Sequence, residues 1–286
     1  NFFSNLKNIK LMILAKPFDE SLLDLVNFSI KKEIKIISTF DDWNFDDSKV
    51  TKKRMIYWLK IAKASNSVVV KTLTAKEVLK KNTDIEAEII EDCLEFDNQK
   101  PISNFSNPIK LCWFGKHTNH DTLFEGIKQL SNYKELLYLN IITNEISPPH
   151  TNIIEAIKAL NLKKININFS KWNLSFNKEV LKSDIVIIPT INDNARLVKS
   201  HNRLTESLNL GRFVLANYTP YYSELKDYCY LGNLVEGINW VISNKEEAIN
   251  KIQEGQKYVL KRFSKEKISK KWQDLIYKNL NAGIRI

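Results

Sequence analysis

Between Lys199 and Glu206 the chain sets two cations, an amide and a carboxylate at intervals that suit one face of a helix. Lys199, Asn202, Arg203 and Glu206 fall at i, i+3, i+4 and i+7, which in a helix brings them to the same side. Leu204, Ser207 and Leu208 then face a sheet, and Gly211 is placed to end the helix in the left-handed conformation open to glycine. A helix start carrying Lys199, Ser200, Arg203 and free backbone N–H groups, shortly after a strand, is an anion site. Glu206, one turn further in, suits hydroxyls, to which it offers acceptors. Phosphate together with vicinal hydroxyls on one ligand describes a nucleotide. The plainer alternative is an ordinary solvated helix face.

Other positions carry related chemistry. Gly115-Lys116 closes an apolar strand, and loops at the carboxyl ends of parallel strands line ligand crevices. A glycine there lets backbone approach a phosphate that Lys116 neutralises, with Asn119 as companion in the same loop. Asp41 and Asp42 end another strand, where a carboxylate can act as a base toward an acceptor hydroxyl or orient it; the alternative is that one of them caps the next segment. Asp46-Asp47 reads as a plain cap, and Thr72 is a weaker candidate of the acceptor-side kind. His117 and His201 could serve as acid or base, and otherwise read as solvent-facing loop residues. The histidines and the cysteines Cys93, Cys112 and Cys229 show no zinc-ligand spacing, so no structural metal is expected and the cysteines read as buried free thiols.

The elements that must position these residues alternate. Strands are expected at Leu11–Ala15, Lys35–Phe40, Ser67–Lys71 and Glu88–Glu91, with helices at Asp19–Lys31, Val50–Ala64 and from Thr74 to Lys81. Asp97–Pro108 is rich in turn formers and reads as a linker. The alternation restarts with strands at Ile109–Phe114, Leu136–Ile142, Ile165–Phe169, Ile185–Ile188 and Phe213–Ala216. Helices are expected at Asp121–Leu130, Ile153–Leu160, Asn177–Leu181, Ser243–Arg262 and from Ser264 to Leu280. Two parallel α/β units follow, with residues 1–100 as a first domain, 101–108 as linker and 109–263 as a second domain. The final helix, 264–286, is expected to return to the first domain through Trp272, Leu275 and Ile276.

Lys199-Ser-x-Asn-Arg-x-x-Glu206-x-x-x-x-Gly211, with Val214-x-Ala216 and Pro220-x-Tyr222-x-Glu224, resembles the nucleotide-sugar-binding segment of bacterial glycosyltransferases of the GT-B fold. Leu-Cys-Trp-Phe-Gly115 resembles the strand and loop that open their second domain, where the glycine lies under the donor diphosphate. The resemblance implies two Rossmann-like domains facing a cleft and a retaining transfer of sugar from a nucleotide-diphosphate donor. It implies that Glu206 holds the ribose, that a basic residue holds the diphosphate, and that Pro189 and Thr190 touch the base through backbone groups. Tyr222 would border the donor sugar. Many such enzymes carry a second glutamate eight positions before the ribose glutamate, where this chain has Val198. Residues 1–100 resemble only the later part of such a first domain, which is expected to be shortened.

Bulk properties bound the rest. A chain of 286 residues with 27% charged and 43% hydrophobic content suits two globular domains. The net charge of +10 is spread rather than clustered, apart from Lys265 to Lys271. No nucleic-acid module appears, and seven glycines include no dinucleotide-binding fingerprint. No signal peptide or membrane span is expected, so the reading is a cytoplasmic protein, compatible with peripheral contact to an anionic membrane and a lipid-linked or glycan acceptor. No cofactor beyond the nucleotide-sugar substrate is implied. The competing readings are a non-catalytic nucleotide-sugar-binding relative, a nucleotide-sugar epimerase and a basic lipid-binding protein.

Overall fold

The computed structural model describes residues 8–42, 49–144, 155, 157, 159–160, 162–191 and 193–281. The expected cap at Asp46-Asp47 and most of the expected helix at 153–160 lie outside them. Two compact units emerge: Asn1–Cys93 with Asp193–Ser200 and Lys265–Ile286, and Leu94–Asn192 with His201–Ser264. The stretch expected as a linker therefore groups with the second unit, and residues 193–200 with the first.

Among the described residues of the first unit, β1 (Leu11–Leu14), β2 (Lys35–Thr39), β3 (Ser67–Val70) and β4 (Glu88–Ile89) form a parallel sheet in that order. Helices α1 (Leu22–Lys31), α2 (Lys49–Ala64) and α3 (Leu73–Thr83) are its crossovers, and Thr72 caps α3 by accepting from the Ala75 N–H at 3.1 Å. The helix thus starts at Leu73, one residue before the Thr74 expected to open it. Trp58 of α2 is fully buried, packs tilted against Phe40 and donates its indole N–H to Thr39 O at 3.0 Å. That bond ties α2 to the end of β2, just before Asp41.

In the second unit the parallel sheet runs β10-β9-β8-β5-β6-β7. Its strands are β5 (Ile109–Phe114), β6 (Leu137–Thr143), β7 (Ile165–Lys171), β8 (Ile185–Ile188), β9 (Phe213–Ala216) and the short β10 (Tyr230–Leu231). Every residue of β8 and β9 is buried, as continuous apolar strands in a parallel sheet require. Helices α4 (His120–Leu130), α5 (Asn177–Val180), α6 (Asn202–Asn209), α7 (Leu234–Ser243), α8 (Lys245–Phe263) and α9 (Lys265–Asn281) follow in chain order, α9 belonging to the first unit. There its Ile268 and Leu275 pack with Ile37, Val69 and Ile90, flanked by Trp272 and Ile276. Neither β10 nor α7 was read from the sequence.

Gly211 ends α6 with φ of 68°. Its N–H donates to Leu208 O at 2.9 Å and the Arg212 N–H to Ser207 O at 3.0 Å, the paired bonds of a Schellman stop. A Cβ here would lie 2.6 Å from Pro101 Cα and 2.9 Å from Lys100 O, both backbone atoms. Gly211→Ala is therefore expected to cost about 2 kcal/mol or more, from left-handed strain and displacement of residues 100–101, read as a lower urea midpoint.

Candidate functional site

The second unit gathers a cationic group at the carboxyl end of β5. The Gly115 N–H donates to Ile142 O at 3.1 Å, so the strand geometry persists one residue beyond Phe114. The Trp113 indole lies directly against this glycine. A Cβ on Gly115 would stand 2.9 Å from two Trp113 ring carbons and 3.6 Å from Arg203 Nη1. Arg203 is in the first turn of α6, whose axis it shares with Asn202 and Glu206. Its Nη1 is buried and has no hydrogen-bond partner among the described residues. Buried donors without acceptors are few in folded proteins and each calls for an explanation. A guanidinium beside glycine backbone, at a strand end and a helix start, fits a phosphate oxygen.

Loops on either side are fixed by short-range bonds. Lys116 is exposed and leads into a 3-10 turn at His117–Asn119. The His117 N–H donates to Asn144 Oδ1 at 3.2 Å, and its Nδ1 lies 3.2 Å from Asn144 Nδ2, so His117 is half-buried rather than solvent-facing. Asn119 O accepts from Thr122 Oγ1 at 2.8 Å. His120, buried, sits 3.0 Å from Thr143 Oγ1. Pro189 packs on α4 so closely that a Cβ on Gly126 would lie 2.6 Å from its own. The Thr190 N–H donates to Asn217 Oδ1 at 3.0 Å, which pins the turn after β8 to the end of β9.

The helix carrying Arg203 begins later than its period implied. It runs Asn202–Asn209, so Lys199 and Ser200 precede it, and both belong to the first unit. Lys199 Nζ pairs there with Asp42 Oδ1 at 2.7 Å. The expected four-residue face reduces to Asn202, Arg203 and Glu206, because the unbroken i, i+3, i+4, i+7 pattern spans residues that are not helical.

Glu206 is not on a solvated face either: it is 2% exposed. Its Oε2 accepts from the Glu95 N–H at 2.9 Å, and its Oε1 from the Phe96 N–H at 3.3 Å and Asn209 Nδ2 at 3.2 Å. Burial pushes its carboxyl up, against the pull of those three donors and with the added repulsion of Glu95. Asn202 Nδ2 reaches Glu95 Oε1 at 3.4 Å. The α6 carboxylate thus clamps residues 95–96 to the second unit.

In the first unit, Asp41 Oδ2 accepts from Thr39 Oγ1 at 2.5 Å. Asp42 bridges Lys199 and Lys16, the latter at 3.3 Å. Burial pushes the Asp42 carboxyl up, but the hydrogen bond and charge of Lys199, with those of Lys16, outweigh it and hold the group below its ordinary value. That shift disfavours Asp42 as a proton acceptor, since two ammonium groups already hold its charge. Among the described residues ammonium groups pair with Asp42 and not with Asp41.

Three further placements depart from expectation. Tyr222 is buried in the apolar cluster of Val214, Ala216 and Phe263 rather than bordering an open loop, and burial drives its hydroxyl pKa far up. His201 is 1% exposed. Its Nε2 meets Glu224 Oε1 at 2.8 Å while Arg262 Nη2 holds Glu224 Oε2 at 2.9 Å, and its ring packs near Phe263. This trio sits at the N-cap of α6 and steadies the helix that carries Arg203. Cys112 and Cys229 are buried free thiols, the latter pushed up to about 12 by burial, whereas Cys93 is partly exposed. Glu95 and Arg262 were missed because their partners, Glu206 and Glu224, lie far away in sequence, where spacing carries no signal.

With this geometry in hand, comparison with solved structures defines the architecture. The chain superposes on HepE from Anabaena, crystallised with UDP and glucose, with a TM-score of 0.78 at 12% identity over 97% of this chain and 80% of that one. Sucrose-phosphate synthase from Thermosynechococcus elongatus gives 0.75 at 12% identity over 99% and 77%. A glycosyltransferase from Rickettsia africae gives 0.72 at 18% identity over 99% and 80%. The chain has the GT-B fold, in keeping with its two parallel α/β sheets. No protein-family model matches the chain, and no curated protein matches it in sequence.

Proposed function

We propose that this protein is a glycosyltransferase that moves a sugar from a nucleotide-diphosphate donor to an acceptor hydroxyl. The observation carrying this reading is Arg203 Nη1, buried without an acceptor against Gly115 in a GT-B fold. In the reaction the bond from sugar C1 to the diphosphate oxygen breaks and one from C1 to the acceptor oxygen forms. The acceptor proton leaves with the diphosphate, whose growing charge Arg203 stabilises at Gly115, with Lys116 at the adjacent loop. Thr190 and Pro189 present backbone to the base, and Glu206 adds to its protein donors the ribose hydroxyls. Asp41, in place of Asp42, orients the acceptor hydroxyl for that transfer.

Retention of anomeric configuration, independence from metal, and an acceptor belonging to a surface polysaccharide, glycolipid or other glycan extend the same reading. Among the described residues no helix is long and apolar enough to cross a membrane. The work is proposed to occur in the cytoplasm, with peripheral contact to an anionic membrane when the acceptor is lipid-linked.

A second reading, a nucleotide-sugar-binding protein without turnover, is favoured by Val198. It is 1% exposed and packs with Phe40, Trp58 and Val70 of the first unit, so the position of the second glutamate is taken up by core. Calorimetric titration with UDP, GDP, ADP and their glucose and galactose conjugates tests both. Binding of one nucleotide family together with slow donor hydrolysis or transfer supports the enzyme; binding without either supports the second reading. Absence of binding by every nucleotide overturns both.

A further inference from the structure

We infer that the second unit also carries a glycan-binding pocket on the open half of its sheet, apart from the strand ends that hold Gly115 and Arg203. The strand register sets the rows. Lys110, Tyr138 and Asn166 lie abreast on β5, β6 and β7; Cys112, Asn140 and Asn168 form the next row, and Phe114, Ile142 and Ser170 the one after. Where this face is covered, Cys112, Phe114 and Ile142 pack with Phe176 and Val180 around α5. But α5 is one turn long, Asn177–Val180, and the remaining rows stay open.

Parallel sheets are ordinarily covered on both faces and read as apolar runs. Here β7 reads Ile-Asn-Ile-Asn, spending a residue of low strand preference twice on the open face. A pocket of about 280 Å³ lies over these residues, walled on its far side by Glu179 and Lys182. Asn168 Nδ2 and Ser170 Oγ both donate to Asn140 Oδ1 at 2.9 Å. Those bonds fix the Asn140 amide, so that its Nδ2 donors and the Asn168 Oδ1 acceptor have no partner among the described residues. The two groups stand on neighbouring strands, about 4.8 Å apart in the hydrogen-bonding direction. Beside them Tyr138 is 42% exposed.

Adjacent donors and acceptors match vicinal hydroxyls, and a flat exposed ring accepts the apolar C–H face of a pyranose. The nearest charges are Lys110 and the Lys182–Glu179 pair, which is already closed at 2.6 Å. The ligand is therefore a neutral, hydroxyl-rich ring: a hexose unit of a glycan chain. Lys110 is five residues before Gly115, roughly 16 Å along the strand at the rise of a parallel strand, so the pocket is not the nucleotide position. A chain held there keeps its free end at high effective concentration for repeated transfer. The choice of a glycan as physiological ligand rests on the transferase reading; the chemistry of the pocket does not.

The test is a titration of the isotope-labelled full chain with α-1,4- and β-1,4-linked glucose tetrasaccharides, followed by amide and tyrosine resonances, with UDP titrated separately. One tetrasaccharide is expected to bind saturably, and Tyr138→Ala and Asn168→Ala each to weaken it at least tenfold with UDP binding unchanged. Both residues are exposed, and thermal melts check that each variant folds. No saturable binding of either tetrasaccharide, or binding that neither substitution weakens, overturns the pocket. Loss of UDP binding in Arg203→Ala with tetrasaccharide binding intact, or the reverse, separates the fate of this site from that of the nucleotide site.

Discussion

Arg203→Ala is expected to weaken nucleoside-diphosphate binding or transfer by about a hundredfold to a thousandfold while leaving the fold as stable as wild type. The two halves of this expectation come from one fact, the missing acceptor at Nη1. A buried donor left without a partner costs the folded protein on the order of 1–3 kcal/mol, so deleting it removes a penalty rather than a bond. A phosphate oxygen placed at Gly115 removes the same penalty and adds a charge-assisted bond, which is why the effect on the ligand is large. Arg203→Lys is the sharper comparison. An ammonium keeps the charge but not the planar fork, so it is expected to recover less than a tenth of the lost affinity. Calorimetric titration and urea unfolding on the same samples read both halves. A variant that binds nucleotide normally and has lost about 2 kcal/mol of stability would show that the guanidinium is a packing element instead.

How much of this was legible beforehand depended on the distance over which each signal acts. Apolar runs such as Ile185–Ile188 and Phe213–Ala216 declared strands, and Gly211 declared a helix stop, because strand burial and left-handed backbone are set by residues in place. Their alternation indicated two parallel α/β units, and the GT-B architecture was implied by the resemblance carried by Lys199 to Gly211. Gly115 was legible as a point of close approach, though the Trp113 ring that lies against it was not. The start of α6 was misread because periodicity continues through residues 199–201 whether or not they are helical, and His201 at the N-cap makes no side-chain cap bond to mark the boundary. Spacing likewise could not show that Lys199 pairs with Asp42, 157 residues earlier in the chain. The open asparagine rows were invisible for a related reason: alternation in β6 and β7 predicts a polar face, but only the register shows which amides become neighbours.

Glu206 carries the second large expectation, and it separates the clamp from the ribose role. Glu206→Ala removes the acceptor of the Glu95 and Phe96 N–H groups and of Asn209 Nδ2, bonds to a charged group, and is expected to cost about 2–3 kcal/mol in urea unfolding. The pH dependence fixes the cause. Because burial raises this carboxyl above its ordinary value of 4.5, the folded state takes up its proton more readily than the unfolded chain does. Its contribution to stability is thus fullest below 4.5 and declines as pH rises through the raised value. Glu206→Gln cannot titrate, so the wild-type stability minus that of this variant is expected to be larger near pH 4 than near pH 7. A difference that grew with pH would mean that the three donors, not desolvation, set the state of the carboxyl. Nucleotide binding supplies the remaining distinction. A clamp that only holds residues 95–96 predicts that Glu206→Gln, once folded, binds UDP and its 2′,3′-dideoxy analogue with the ratio seen in wild type. A carboxylate that also accepts the ribose hydroxyls predicts that the wild type prefers UDP by about tenfold, roughly the worth of one charged hydrogen bond, and that the variant loses this preference.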